Sequence, residues 1–142
     1  SYYNGDFIAL EKAHLNKGWK LVDNWHPDNK DGKRNGFVDV PMLEATRPGD
    51  RLTLDFQGKA IGIFCVSGPS AGILEYSVDG APFKELDTFT EWSHNLYIPW
   101  VYMLETELKD MDHKLVLRIS KKKNPASQGT ECQIRNFVVN GR

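Results

Sequence analysis

Residues 67–100 read S-G-P-S-A-G-I-L-E-Y-S-V-D-G-A-P-F-K-E-L-D-T-F-T-E-W-S-H-N-L-Y-I-P-W, and their period decides the fold. Leu74, Tyr76 and Val78 alternate with Ile73, Glu75 and Ser77, the period of two expected of a strand with unlike faces. Asp79-Gly80 then supplies a hairpin signal, because glycine takes positive φ without steric cost. Residues 83–86 form the return strand. From Thr88 to Trp100 the alternation is lost, and polar and aromatic groups crowd a loop in a way that core packing alone does not require.

The same period extends in both directions. Residues 51–56 alternate strictly, with Leu52, Leu54 and Phe56 inward, and Gln57-Gly58-Lys59 reverses the chain into residues 60–66, apolar on both faces as in a central strand. Downstream, residues 113–120 alternate with Leu115, Leu117 and Ile119 inward. Lys121-Lys122-Lys123-Asn124-Pro125 breaks that strand, and residues 132–140 form a last one. Residues 100–107 fit either a helix or a strand.

Toward the N-terminus, residues 7–15 suit a short helix or an edge strand. Residues 19–25 alternate, with Trp19 and Leu21 on one face and Asp23 and Trp25 in the same phase. Residues 26–36, H-P-D-N-K-D-G-K-R-N-G, have no hydrophobic period and read as an exposed loop. Short strand pieces at 37–40 and 42–45 flank Pro41, which cannot donate a ladder hydrogen bond and favours an edge or a bulge. Arg47-Pro48-Gly49-Asp50 is a turn. No segment longer than about ten residues carries a helical period, so the chain reads as an all-β protein, an antiparallel β-sandwich forming a single domain over residues 1–142.

The 142 residues suffice to bury a core without disulfide staples. With 18 Lys+Arg against 19 Asp+Glu there is no global electrostatic footprint for nucleic acid. No apolar run approaches the roughly 18 residues of a membrane-spanning helix. The opening Ser-Tyr-Tyr-Asn-Gly reads as a mature start, an artificial boundary or the continuation of a linker. Cys65 and Cys132 lie far apart in apolar strands without a C-x-x-C partner, which points to buried, reduced thiols rather than a metal knuckle or redox pair.

Catalytic patterns are missing where they would be expected. There is no G-x-S-x-G turn, and the adjacency of Ser93 and His94 is no evidence of triad geometry. His14, His26, His94 and His113 are scattered without zinc spacing. Asp28-Asn29-Lys30-Asp31-Gly32 has the flavour of an oxygen-ligand loop but lacks the terminal Glu of a calcium hand, so it reads as a solvated turn. No cofactor is called for; a structural calcium elsewhere in a sandwich loop is left open. The Lys121-Lys122-Lys123 run has no interleaved aromatics and reads as a solvated loop.

The aromatic loops carry the better signal. Trp92, His94, Tyr97 and Trp100 fall within nine positions, and Trp25 with His26 opens the other polar loop. Rings with an apolar face and a hydrogen-bonding edge suit stacking on sugars or anchoring against a protein. The competing reading is that Trp92 and Trp100 plug the ends of the sandwich. As a binding site, the set is Trp92 or Trp100 stacking on a sugar, with Trp25, His94, Asn95 and Glu91 as flanking contacts.

Several segments together resemble one family. F-Q-G-K-A-I-G-I-F-C-V-S-G-P-S-A-G-I-L-E-Y-S-V-D-G (56–80), D-T-F-T-E-W-S (87–93), L-Y-I-P-W (96–100), H-K-L-V-L-R-I-S (113–120) and S-Q-G-T-E-C-Q-I-R-N-F-V-V-N (127–140) carry the likeness, joined by Y-Y-N-G-D-F (2–7) and G-W-K-L-V-D-N-W-H-P (18–27). The chain resembles the non-catalytic β-sandwich domain that accompanies the catalytic domain of bacterial SGNH/GDSL-type esterases. That resemblance implies a galactose-binding-like jelly roll, a secreted or periplasmic setting, and deacylation of polysaccharide or glycoconjugate by the neighbouring esterase domain. The neighbour's G-D-S nucleophile block and D-x-x-H block are lacking here. The implied role is accessory: sugar binding, or docking that orients and stabilises the hydrolase, with no nucleic acid and no membrane insertion. Activity in this chain itself is a third reading.

Overall fold

The computed structural model describes residues 6–26, 32–33 and 40–140. The strands are β1 (Asp6–Ile8), β2 (His14–Lys17), β3 (Lys20–Trp25), β4 (Gly32–Lys33), β5 (Val40–Ala45), β6 (Arg51–Gly58), β7 (Ala60–Ser67), β8 (Ile73–Val78), β9 (Lys84–Asp87), β10 (Leu96–Glu105), β11 (Met111–Ile119) and β12 (Cys132–Asn140), with a 3-10 turn at Leu10–Lys12. One sheet runs β3-β5-β12-β7-β10-β4, with β1 also paired to β12; the other runs β2-β6-β11-β8-β9. The pairings are antiparallel except for the short parallel contact of β4 with β10. This is the β-sandwich that the alternating segments predict, and residues 100–107 resolve as strand through Glu105.

Alternation places the core between the sheets. Leu52, Leu54 and Phe56 from β6, Leu115, Leu117 and Ile119 from β11, Ile61, Ile63 and Cys65 from β7, and Ile134 and Phe137 from β12 are all buried there. Each such side chain contributes about 1.5–3 kcal/mol of burial free energy. β7 is buried on both faces, as its unbroken apolar run requires. Both cysteines are free and buried, and burial pushes the Cys65 thiol up to about 12.

Two N-terminal readings change. Residues 7–15 are both strand and turn: β1, the 3-10 turn, then the start of β2. Trp19 and Trp25 do not share a face. Trp19 belongs to the main core, whereas Trp25 packs with Met42, Val66 and Tyr97 in a second cluster. A bulge between Val22 and Trp25, opposite β5, inserts one residue and inverts the parity. Pro41 sits opposite that bulge, where no ladder donor is needed. Leu21 is left exposed. The oxygen-rich run at 28–31 and the strand piece expected at 37–39 lie outside the described residues.

Candidate functional site at the loop-bearing end

The connections at 18–19, 46–50, 68–72, 88–95 and 120–131 gather at one end of the sandwich, where β7 stops and β10 starts. Their backbones are knitted together. Ser127 Oγ lies 2.7 Å from the Ala71 carbonyl, Gly72 N donates to the Glu131 carbonyl at 2.8 Å, and Glu131 N donates to the Ser70 carbonyl at 2.8 Å. The S-G-P-S-A-G run that opens residues 67–100 is thus the buried hub of this end.

From that hub the aromatic loop is held at both ends. Thr88 Oγ1 donates to the Gly72 carbonyl at 2.6 Å, and Phe89 N donates to Asp87 Oδ1 at 3.0 Å. Thr90 and Ser93 then clasp a tight turn, with Thr90 N on Ser93 Oγ at 3.1 Å and Ser93 N on the Thr90 carbonyl at 3.0 Å. Trp92 stands at the tip, its amide on Thr90 Oγ1 at 3.2 Å and its side chain 59% exposed. Glu91, His94 and Asn95 are exposed on the same turn. His94 rests edge-on against buried Phe89, with centroids 5.2 Å apart. Ser93 is therefore a turn pin here, its hydroxyl engaged with Thr90 rather than with His94.

Trp100 is on β10 and 43% exposed, and Tyr102, two residues on and so on the same side of the strand, tilts against it at 6.3 Å. The Tyr102 hydroxyl donates to the Thr88 carbonyl at 3.4 Å, and burial raises its pKa to about 12. Among the described residues no ring contact joins Trp92 to Trp100, so the two indoles are separate platforms.

Trp25 is not one of these platforms. Only 4% exposed, it donates from Nε1 to Glu44 Oε2 at 3.2 Å and meets Tyr97 edge-on. Tyr97 lies so close over Gly68 that a Cβ there would come within 2.3 Å of its ring. The parallel pairing of Gly32 and Lys33 with Leu96 and Tyr97 brings the two polar loops singled out in the sequence to the same edge. Trp25 thus supports the aromatic loop from behind instead of offering a face to a ligand. Phe89 and Tyr102, which back His94 and Trp100, were legible only as strand or loop aromatics.

At the opposite end, His113 on β11 is buried between two acceptors. Its Nδ1 lies 2.5 Å from Asp79 Oδ2 and its Nε2 2.7 Å from the Lys109 carbonyl. Burial pulls its pKa down, but the bonds to Asp79 and Lys109 outweigh this and leave it above 6.5. The same His113 bond, followed by the Lys114 amide, holds Asp79 below 3.8. A shallow cleft of about 620 Å³ lies there, lined by Asp55, Gln57, Asp79, Asp112, His113 and Lys114. Among the described residues no three His, Cys, Asp or Glu side chains converge as metal ligands, and no helix is long and apolar enough to cross a membrane.

No protein-family model matches the chain, and no curated protein sequence does. Its fold recurs within solved carbohydrate-active enzymes. A two-domain esterase active on acetylated mannans, crystallised with mannopentaose, superposes with a TM-score of 0.72 at 16% identity, over 100% of this chain and 38% of that one. A family two carbohydrate esterase from Cellvibrio japonicus gives 0.57 at 12% identity, over 97% and 34%. An exo-β-1,3-galactanase from Phanerochaete chrysosporium, solved with galactose, gives 0.60 at 10% identity, over 94% and 29%. The chain therefore spans well under half the length of each. At these identities the likeness establishes the sandwich fold.

Proposed function

We propose that this chain is a non-catalytic accessory domain of a bacterial carbohydrate esterase, secreted or periplasmic, that binds polysaccharide through a shallow aromatic site at its loop-bearing end. The observation that carries the reading is Trp92, a large indole held out on a turn whose own hydrogen bonds fix it. Holding such a ring in water without a partner forgoes burial free energy, whereas its flat face suits the C–H face of a sugar. Glu91, His94 and Asn95 provide the polar rim for hydroxyls, and Trp100 a second platform. With so few anchors to offset the cost of association, the affinity is modest. The recurrence of the fold in carbohydrate-active enzymes supports the ligand class. Calorimetric titration with manno-, cello- and β-1,3-galacto-oligosaccharides, backed by a glycan array, tests it. Binding by the wild type that is lost in Trp92→Ala is expected; silence across the panel, or an unchanged Trp92→Ala, sinks the idea.

A second reading draws on the outer face of the seven-stranded sheet. Phe7 (65% exposed) and Val101 (46% exposed) flank Met103, which lies over Gly62. Such a face suits docking that orients and stabilises a neighbouring SGNH/GDSL hydrolase domain. It predicts that adding the chain raises the melting temperature of that hydrolase domain, and that Phe7→Ser with Val101→Thr abolishes the rise.

A further inference from the structure

The aromatic site leaves the cations of the chain unused, and they are not scattered. On the five-stranded sheet Lys17, Arg51 and Arg118 are register partners on the adjacent strands β2, β6 and β11. The same cross-strand row continues to Glu75 on β8 and Glu85 on β9. Charge thus runs as three positives followed by two negatives. Like charges directly opposite one another on neighbouring strands are destabilising, so the positive half of the row is held against its own repulsion.

Internal neutralisation is incomplete. Glu75 takes Arg118 Nε at 2.8 Å, and Glu85 takes Lys122 Nζ at 3.3 Å. Among the described residues Lys17, Arg51 and Lys121 have no carboxylate partner. The chain as a whole has a formal net charge of −1, so the excess is local. Beside the row lies a cleft of about 550 Å³ lined by Gly49, Arg51, Glu75, Arg118, Ser120 and Lys121. Across the 46–50 turn, Lys17, Lys20 and Arg47 line a second cleft and extend the positive surface. Arg118 is already positioned: its guanidinium carbon sits 3.6 Å from the centroid of the Phe83 ring, and Nε is occupied by Glu75. Its two terminal nitrogens keep a planar fork that matches an oxyanion.

We propose that the row Lys17–Arg51–Arg118, with Lys121, is a second binding surface, distinct from the Trp92 turn, that takes oxyanion groups on a glycan chain. The recognised chemistry is the carboxylate or the sulfate ester, which the same fork accepts. The anion site stands on its own geometry; only the assignment to a glycan rests on the carbohydrate reading above. A nucleic acid fits less well, because Phe83 is already stacked on Arg118 and the cleft lining offers no other ring for bases. Glu75 and Glu85 also cut the positive track short. Because the cations are solvent-facing, binding is screened strongly by salt.

The test is affinity electrophoresis and calorimetry of the whole chain against polygalacturonate, dextran sulfate, neutral dextran and duplex DNA, at low and high salt. Retention by polygalacturonate or dextran sulfate but not dextran, lost at high salt, is expected, and the tighter of the two tells carboxylate from sulfate. Arg51→Gln with Lys121→Gln should weaken it about tenfold or more, the loss of two charge-assisted contacts. Trp92→Ala should leave it unchanged while abolishing neutral-glycan binding, which separates failure of this site from failure of the aromatic one. A comparison pair at the opposite end, Lys59→Gln with Lys109→Gln, should have no effect. Absence of retention, equal weakening by the comparison pair, or tighter binding to DNA would each overturn the proposal.

Discussion

The Trp25 and Tyr97 rings meet edge-on, with centroids 5.4 Å apart and planes inclined at 67°. This contact joins the end of β3 to the start of β10 across the outer face of the larger sheet, and Glu44 anchors it by accepting from both Trp25 and Gln133. Trp25→Ala should cost about 3–5 kcal/mol of stability, as for large core truncations. Trp25→Phe, which keeps a ring and loses the Glu44 bond, should cost about 1–2 kcal/mol. Denaturant midpoints decide it; a Trp25→Ala protein as stable as the wild type would refute the supporting role.

Stability should be pH-dependent through His113 and Asp79. The folded pKa of His113 is raised above 6.5, so its contribution is full below that value and declines as pH rises through the folded pKa. The folded pKa of Asp79 is depressed below 3.8, so its contribution holds above that value and declines as pH falls through the folded pKa. Both are present between the two reference values. Urea midpoints across the acid and alkaline ranges should show an alkaline decline that His113→Gln flattens; identical profiles for the two proteins would count against the pair.

Two glycines should respond for opposite reasons. At Gly72 a Cβ would come 2.8 Å from the Thr130 carbonyl carbon, and the backbone there is tied into the hub, so Gly72→Ala should cost about 1–3 kcal/mol. Gly80 has open space around it but φ of +76°, so Gly80→Ala should cost roughly 1 kcal/mol and Gly80→Asn less, since Asn tolerates that region. Equal losses for Gly80→Ala and Gly80→Asn, measured by thermal unfolding, would contradict the conformational explanation.

Neither thiol should react in the native protein. Cys65 and Cys132 are buried, and burial raises both pKa values. A thiol reagent under native conditions should therefore label neither, while two thiols per chain should appear in denaturant. Rapid native labelling would show that the core opens.

Most of the fold was legible because strand period and turn chemistry agree. The strict alternation at Arg51–Gly58 and Met111–Ile119 emerged as predicted, and so did the Asp79-Gly80 turn, where both residues take positive φ. What escaped were events that period alone cannot encode. The bulge before Trp25 shifts the parity by one residue, and nothing in W-K-L-V-D-N-W marks it except Pro41 on the partner strand. The fork of Arg118, the Lys17–Arg51 neighbourhood and the His113–Asp79 contact depend on cross-strand register, between residues up to 67 positions apart for Arg51 and Arg118. Of the aromatic set, the exposure of Trp92 and the burial of Trp25 could not be told apart, since both indoles sit beside polar turns.

The position of β12 also governs how this chain can reach its fold. Cys132–Asn140 is the last described strand, yet it lies inside the larger sheet, with β7 along one edge and β5 and β1 sharing the other. During synthesis the earlier strands emerge with that slot empty and two apolar edges unpaired. Hairpins such as β8–β9 can form early, but the larger sheet closes only after Cys132–Asn140 has left the ribosome. Folding is therefore gated by contacts of long sequence separation, which makes it slow and leaves the incomplete chain most exposed to aggregation just before its final strand arrives.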